Sequence, residues 1–163
     1  MPSKADPLKS FRFLVEVEAN GKRIVAAFTQ FSGIRMKLDM VSVRTGADLR
    51  GVLDGVPALT RYEDVTLTKG VIGDNEFLDW ILAATPSINE GPTGINLCRT
   101  ISVVAINDEG KRAVTWTLPD VLPVAYELSA MDGSQSAVLS ETITFTVGGF
   151  TRETHNPPLE LNR

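Results

Sequence analysis

Apolar and polar residues alternate along the first third of the chain, with the period of two that a half-buried β-strand produces. The first alternating run covers residues 11–18. Asn20-Gly21 follows it and predicts a tight hairpin turn, because both residues tolerate positive φ. Two more runs, residues 23–31 and 36–44, are separated by Ser32-Gly33. The pattern therefore predicts three strands before residue 45.

Strand-like patterns return in the second part of the chain, between segments that are rich in turn residues. Gly110 lies in one of these polar segments and can supply the left-handed conformation of a tight turn. The predicted strands are residues 62–69, 99–106, 113–118, 121–130 and 138–147.

One segment has helical rather than strand periodicity. Asp74 is a favourable N-cap, and Pro86 predicts the end of a helix about ten residues long. Such a short helix is not stable alone in water, so we expect it to pack on a sheet. Its packing residues, by spacing, are Phe77, Trp80 and Ile81.

These elements predict one mainly-β domain over residues 1–163, a small β-barrel or β-sandwich with one short α-helix. The length of 163 residues suits a single domain, and 43% hydrophobic residues suffice for a core. The C-terminal tail, residues 154–163, includes Pro157-Pro158. Because proline has no backbone N–H, we expect this tail not to continue a sheet ladder.

Residues 44–60 form a long, Gly-punctuated segment between two predicted strands. Compact domains seldom keep more than about 12 to 15 structureless residues unless these act on a partner. Several of its side chains are apolar, and solvated loops rarely expose that much apolar surface. We therefore favour an ordered inter-subunit arm over a disordered surface loop. The predicted contact residues are Arg44, Thr45, Gly46, Ala47, Asp48, Leu49, Val52, Leu53, Val56 and Leu59.

The composition of the chain argues against several classes of protein. Sixteen Lys and Arg against twenty Asp and Glu give a net charge of −4, which argues against a dedicated nucleic-acid binder. No apolar run approaches the roughly 20 residues that span a bilayer, and the N-terminus lacks a signal-peptide pattern. We expect a protein that is made and folded in the cytosol, without stable membrane insertion.

Residues that could carry catalysis are few. His155 is the single histidine, lies in the proline-containing tail and is expected to be solvated. Cys98 is the single cysteine, so no intrachain disulfide is possible, and we expect it to be a buried small side chain. Asn107-Asp108-Glu109-Gly110 lacks the ligand ladder of a calcium loop. The sequence therefore predicts a protein that is not an enzyme and that has neither a cofactor nor a metal site.

The order of motifs along nearly the whole chain resembles the tail tube proteins of contractile phage tails and phage-tail-like extracellular contractile injection systems. The motifs taken together in this order are more specific for the family than any single motif. The last of them are a strand that ends in Lys-Gly and a helix that contains a Trp. The motifs are Asp6-Pro7-Leu8, the Phe-x-Phe-x-Val strand, residues 31–34, Arg44-Thr45-Gly46, residues 56–62, residues 65–70 and residues 77–80.

The resemblance implies a β fold related to the tube proteins of type VI secretion. It implies homo-hexameric rings that stack into a tube, with the arm after the third strand reaching the adjacent ring. The implied partners are a sheath protein, baseplate and spike proteins, a terminator cap, and cargo protein or DNA in the lumen. The arm departs from the family in reading Ala47-Asp48-Leu49 after its Arg-x-Gly, where an acidic segment is common.

Two other functions stay open at this point. A tube initiator, the ring that joins the tube to the baseplate spike, would share these motifs. A monomeric ligand-binding β-barrel belongs to a different class and would not need the arm. The resemblance itself covers both phage tails and bacterial injection particles, either of which would carry the protein as a structural component.

Overall fold

The computed structural model describes residues 7–19, 21–43, 54–71, 76–84 and 97–161. Eleven strands and one helix lie within these ranges. They are β1 (Phe13–Ala19), β2 (Lys22–Ala26), β3 (Gln30–Phe31), β4 (Met36–Val43), β5 (Asp54–Tyr62), β6 (Val65–Gly70), α1 (Glu76–Ala84), β7 (Arg99–Ile106), β8 (Arg112–Val121), β9 (Pro123–Leu128), β10 (Ser140–Phe145) and β11 (Thr151–Leu159).

Most strands belong to two antiparallel sheets. The first has five strands in the order β11-β8-β7-β1-β2, and the second has four in the order β3-β6-β10-β9. The chain passes from the first sheet to the second between β2 and β3, where the periodicity alone predicts one continuous strand. Phe28 lies in this crossing and is buried in the core, which explains why the apolar pattern does not break there.

The core lies between the two sheets. Alternate residues of each strand point inward, such as Val15 and Val17 of β1 and Val65 and Leu67 of β6. The aromatic ring of Phe145 on β10 is fully buried, and Trp80 of α1 stacks on it with ring centroids 5.3 Å apart. The helix therefore covers one side of the core, as a short amphipathic helix must in order to be stable.

A third, separate sheet consists of β4 and β5 alone. These two strands pair in antiparallel register from Met36↔Tyr62 to Val43↔Asp54, with one irregularity after Asp39. Of the predicted arm, residues 44–60, the described part is residues 54–60, which belong to β5 and not to a segment between strands. The apolar residues of this part therefore belong to a paired strand, and a loop is not needed to explain them. Residues 44–53 lie outside the described residues.

The mainly-β class with one short helix is confirmed. Among the described strands the two sheets do not close into a barrel, so the sandwich is the better of the two predicted forms.

The expectation that the tail leaves the ladder is wrong. Residues from Thr151 to Leu159 form an edge strand on β8, with a register shift between Thr154 and Leu159. The bond between Asn156 and Pro157 is cis. Proline is tolerated here because the strand lies at a sheet edge. At the register shift, no backbone N–H is needed to bond to the neighbouring strand.

Candidate subunit interface

The hairpin of β4 and β5 carries an apolar stripe on one of its faces. Met36 and Leu38 alternate along β4, and Met40 extends the stripe toward the far end. The Met40 side chain lies over Gly55, where an added Cβ would be 3.0 Å from its Cε. All three side chains are about half exposed. A two-stranded hairpin is at best marginally stable in water, so this surface needs a partner.

The opposite face of the hairpin is more polar. Arg61 Nε lies 2.6 Å from Asp39 Oδ2 and forms an ion pair across the two strands. At the base, Glu63 N donates to the Arg35 carbonyl oxygen at 3.1 Å, and their side chains form a weaker ion pair at 3.4 Å. These contacts hold the two strands to each other. They leave the apolar stripe uncovered.

The edge of the four-stranded sheet at β9 is a second unpartnered surface. No described strand pairs with the outer side of β9, and Val124, Tyr126 and Leu128 are all exposed. An open groove of about 240 Å³ lies between this strand and α1, whose Leu82 is exposed beside it. An unpaired strand edge next to apolar side chains is a template for pairing with another chain.

Tyr126 also connects this edge to a buried ion pair. Its hydroxyl donates to Glu141 Oε1 at 3.0 Å, and Glu141 Oε2 lies 3.7 Å from the Nζ of the buried Lys69. Partial desolvation, together with the hydrogen bond to the Glu141 carboxylate, raises the pKa of the Tyr126 hydroxyl. The phenol therefore stays protonated and serves as a donor at neutral pH.

A cavity of about 650 Å³ opens at the end of the sandwich where the hairpin is attached. Tyr62, the last residue of β5, packs edge-on against Phe150 at this place, with ring centroids 6.2 Å apart. The exposed Leu8 forms part of the rim. The larger apolar lining residues are Leu8, Phe13, Phe31, Ile34, Trp116 and Phe150.

The helix is fixed to the sandwich by Trp80. Its side chain is 2% exposed, and its Nε1 donates to the Leu97 carbonyl oxygen at 2.6 Å. The Arg99 guanidinium lies 4.7 Å from the centre of the indole ring, within the range of a cation–π contact. Ile81 is partly buried against the same core, and the side chain of Phe77 is outside the description.

A polar cluster lies on the outer face of the five-stranded sheet, centred on the buried Glu16. Two nitrogens of Arg112 donate to the two carboxylate oxygens, at 2.6 and 3.3 Å, and Arg23 forms a further ion pair with the same carboxylate. Glu16 is 5% exposed, so its charge needs these partners. This cluster joins β1, β2 and β8.

His155 is part of the same face, and the expectation that it is solvated is wrong. Its side chain is 8% exposed, with Nε2 at 3.0 Å from Thr115 Oγ1 and Nδ1 at 3.8 Å from Glu153 Oε1. The order of groups is that of a hydroxyl nucleophile, a base and an acid. Thr115 is itself buried on β8, which pairs with β7 on one side and with β11 on the other. The hydrogen bond ties β11 to β8.

Cys98 is exposed just before β7, so the prediction of a buried thiol is also wrong. The neighbouring Leu97 contributes a carbonyl oxygen to Trp80, and this contact rather than the thiol fixes the segment. Within the described residues, no group of three or more His, Cys, Asp or Glu side chains could hold a metal ion. In the same residues no helix has the length and apolar character required to cross a membrane.

A family model described as T4-like virus tail tube protein gp19 matches residues 9–151. That match covers most of the chain. The chain belongs to this tail tube family. The fold, with its two sheets, single helix and projecting hairpin, is thus that of a structural tube subunit. No curated protein sequence gives a significant match.

Solved structures of contractile injection systems contain chains with the same fold as this tail tube subunit. One is from the anti-feeding prophage baseplate, with TM-score 0.76 and 20% identity over 92% of this chain and 97% of that chain. Another is from the sheath–tube complex of an extracellular contractile injection system, PVC, with TM-score 0.75 and 21% identity over 93% and 95%. Hcp1 from Flavobacterium johnsoniae is more distant, with TM-score 0.51 and 14% identity over 87% and 96%.

Few of the predicted contact residues of the tail tube subunit fall in its described part. Leu59 lies on β5, is 57% exposed, and pairs with Asp39 on the more polar face of the hairpin. Val56 pairs with Val41, but nothing is described of its side chain. Residues 44–49, Val52 and Leu53 lie outside the described residues.

The sequence alone does not indicate that Met36, Leu38 and Met40 form an exposed apolar stripe. These residues were assigned to a half-buried strand, because an alternating pattern does not show whether the apolar face meets the core of its own chain. Two signals were available: the long segment after β4 and the methionines, which are common at binding surfaces.

Proposed function

We propose that the subunit assembles into homo-hexameric rings that stack to form the inner tube of a contractile injection machine or phage tail. The whole chain, residues 1–163, acts as one tail-tube domain. The ring encloses a lumen through which cargo protein or DNA passes. Membership of the tail tube family supports this proposal, and so does the surface that the isolated subunit leaves uncovered.

The observation that carries the proposal is the projecting hairpin. Both of its edges lack a strand partner among the described residues, and its stripe of Met36, Leu38 and Met40 is exposed. Full burial of one such side chain stabilises by about 1.5 to 3 kcal/mol. Three half-exposed side chains would therefore contribute on the order of a few kcal/mol per contact, before the ordering cost is subtracted. A ring or stack repeats that gain at every subunit.

Lateral contacts within the ring would use the β9 edge and the groove beside α1. Main-chain hydrogen bonds from a neighbour would satisfy the outer groups of β9, and the exposed Leu82 and Val124 would be covered. This arrangement removes a hazardous open edge from each subunit. It also explains why both faces of β9 are exposed in the isolated chain, although the rest of its sheet is well buried.

The structures that share the fold indicate which further proteins meet the tube. They include a baseplate, a sheath–tube complex and a sheath/tube terminator. By this likeness the subunit would contact a sheath protein, baseplate or spike proteins and a terminator cap. We expect assembly in the bacterial cytoplasm, followed by function in a virion or an extracellular or membrane-anchored injection particle.

The net negative charge of the subunit suits a lumen through which acidic cargo passes without binding to the wall. Six copies at a net charge of −4 give a ring of −24. A lumen with this sign would repel DNA and acidic proteins, so that they slide instead of binding.

Negative-stain electron microscopy of the purified protein tests the proposal. We expect rings and tubes from the unmodified chain, and their loss in Met40→Asp, because the charge would enter a contact that must be dry. Val138→Asp is the matched control, since Val138 is exposed on a loop. A monomer at high concentration, or intact tubes from Met40→Asp, would contradict the proposal.

The tube initiator is a second candidate, because one chain with the same fold comes from a baseplate structure. Copy number separates the two. Quantitative mass spectrometry of purified particles should give many rings of this subunit per particle for the tube body and one ring for the initiator. The monomeric ligand-binding β-barrel predicts instead a compact monomer on size-exclusion chromatography.

A further inference from the structure

We infer that residues 7–12 form a strap that closes the cavity at the end of the sandwich, and that Asp108 is the latch that holds this strap in place. The inference concerns the free subunit and does not depend on its assembly. When salt or acid breaks the contacts of Asp108, the strap moves away and the apolar lining of the cavity becomes accessible.

The strap forms one wall of the cavity. Four of its six residues line the volume of about 650 Å³, namely Leu8, Lys9, Ser10 and Arg12. The other walls belong to both large sheets and are rich in aromatic side chains, which are Phe13, Phe31, Trp116 and Phe150. A volume of this size is typical of cavities that admit small molecules. The position of the strap therefore decides whether this apolar lining is covered.

The strap is loosely packed on both of its sides. A second, smaller cavity of about 200 Å³ lies between it and the turn that joins β7 to β8. Within residues 7–12 no apolar side chain is buried, since Leu8 is 40% and Phe11 is 71% exposed. Apolar burial, the usual anchor of a segment on a core, is thus largely missing here. The strap must be held by polar contacts.

These polar contacts converge on the turn between β7 and β8. Lys9 Nζ donates to Asp108 Oδ1 at 2.9 Å, and a guanidinium nitrogen of Arg12 lies 3.3 Å from the same oxygen. The same nitrogen of Arg12 donates to the carbonyl oxygens of Asn107 and Asp108, at 3.3 and 3.2 Å. Exposed ion pairs of this kind are individually weak and are screened by salt. A strap held in this way opens easily.

The charges around Asp108 determine how acid acts on the latch. The hydrogen bond from Lys9 lowers the pKa of the Asp108 carboxyl below its usual 3.8. The latch therefore holds at pH values above 3.8 and is lost as the pH falls through the lowered pKa. In the same turn, Lys111 Nζ lies 3.4 Å from a carboxylate oxygen of Glu109 and 3.5 Å from one of Glu160.

Binding of an apolar dye tests the latch. Asp108→Asn removes the charge and keeps the size of the side chain. Asp132→Asn is the matched control, because Asp132 is an exposed aspartate whose carboxylate accepts hydrogen bonds from Ser134. All chains are full-length and carry Met40→Asp, so that assembly does not cover the cavity. The probe is N-phenyl-1-naphthylamine, a neutral dye that fluoresces in apolar surroundings.

We expect Asp108→Asn to bind the dye at least about five-fold more tightly than its parent, because the open fraction of the cavity sets the apparent affinity. The control should bind like the parent. Salt at about 1 M should raise the affinity of the parent and of the control. It should have little further effect on Asp108→Asn, whose latch is already broken.

Acrylamide quenching of tryptophan fluorescence gives a second measurement that needs no ligand. Trp116 lines the cavity, whereas Trp80, the other tryptophan of the chain, is 2% exposed. The quenching constant therefore reports mainly on the cavity. We expect it to rise about two-fold in Asp108→Asn, as for a local opening, and to stay unchanged in Asp132→Asn.

A filled cavity shows where the dye binds. Ala105 is half-buried and lines the cavity, so Ala105→Phe in the Asp108→Asn chain should abolish dye binding. Dye binding that persists in this chain would overturn the inference, because the dye would then lie elsewhere. Equal dye affinity and equal quenching in Asp108→Asn and its parent would also overturn it. The quenching measurement decides the matter even if the chain with Ala105→Phe does not fold.

Discussion

At the scale of single residues, Trp80 makes contacts with several separate parts of the subunit. It stacks on Phe145, donates a hydrogen bond to the Leu97 carbonyl and receives the guanidinium of Arg99 on its ring. One side chain thereby connects the helix, the four-stranded sheet and the segment that enters β7. Large aromatic residues in such positions dominate the energetics of small cores.

Trp80→Ala should reduce the free energy of unfolding by about 3 to 5 kcal/mol, because it empties a fully buried site and removes a satisfied donor. Urea denaturation followed by fluorescence of the remaining tryptophan or by circular dichroism measures this. Leu82→Ala, at an exposed position of the same helix, is the control and should cost less than about 1 kcal/mol. A cost below 1 kcal/mol for Trp80→Ala would contradict its role in the core.

The Glu16 cluster gives a second prediction at this scale. Arg112→Ala should destabilise the fold by about 3 kcal/mol, since it leaves a buried carboxylate with one partner fewer. Arg23→Ala should cost about 1 kcal/mol or less, because Arg23 is 44% exposed and Arg112 remains. Chemical denaturation of both variants shows which substitution lowers the free energy of unfolding more. Equal costs would show that the carboxylate depends on Arg112 no more than on Arg23.

Single residues also show where sequence reasoning succeeds and fails. Helical spacing singled out Trp80 because amphipathicity is a local signal. The burial of His155 and the exposure of Cys98 were missed, because both depend on which strand lies beside them. Nothing local indicates that a tail with two prolines would pair with β8 and bring an imidazole against Thr115.

At the scale of elements, the hairpin differs from the other strand pairs of the described residues. The strands of the two large sheets bury one face against the core, whereas β4 and β5 pair only with each other among the described strands. Alternation in the sequence predicted β4 correctly as a strand. It does not show that the apolar side chains of β4 are exposed in the isolated subunit, because alternation does not indicate what a face packs against.

Charge at Val52 or Leu53, within the predicted arm, should separate folding from assembly. We expect Val52→Asp or Leu53→Asp to leave the melting temperature of the subunit unchanged within about 2 °C. Both variants should block polymerisation, because an apolar contact cannot accept an unpaired carboxylate. Differential scanning fluorimetry measures the first property and sedimentation velocity the second. Polymers of normal size would count against an inter-subunit arm.

The N-terminal segment should be sensitive to acid. Lys9 Nζ donates to Asp108 Oδ1 at 2.9 Å, and this hydrogen bond, aided by Arg12, lowers the pKa of the Asp108 carboxyl from its usual 3.8. The contact therefore stabilises at pH values above 3.8. It is lost as the pH falls through the lowered pKa.

Amide hydrogen exchange of residues 7–12 across this pH range measures the effect, after correction for the intrinsic rate. We expect protection to decrease only below about pH 4 in the unmodified chain, the usual range of an aspartate. Asp108→Asn should abolish that step and give low protection throughout. An unchanged step in Asp108→Asn would assign it to another group.

At the scale of the whole molecule, the mainly-β class with its single helix followed from periodicity and turn residues, which act within a few positions. The division into two sheets and a hairpin did not. The passage from β2 to β3 has continuous apolar character, and the pairing of β11 with β8 joins residues far apart in sequence. Long-range pairing of this kind depends on the three-dimensional register, which a single sequence does not reveal.

The net charge of the subunit leads to a prediction for the assembled tube. If the lumen wall has the sign of the ring, a cryo-EM reconstruction should place more acidic than basic side chains on the inner surface. The rate at which DNA or an acidic protein passes through the lumen should then depend only weakly on salt concentration. Salt screens the repulsion between like charges, and no attractive ion pairs with the wall have to be broken. An inner surface with net positive charge would contradict the sliding proposal.

If the subunits stack into a tube as proposed, the projecting hairpin has a final consequence for growth. A subunit that joins through two unlike surfaces presents, after each addition, the same free end as before. Nothing in such a polymer signals when to stop, so its final size cannot be encoded in this polypeptide alone. An external ruler or a capping protein must set it, and the protein expressed by itself should give filaments of widely scattered lengths.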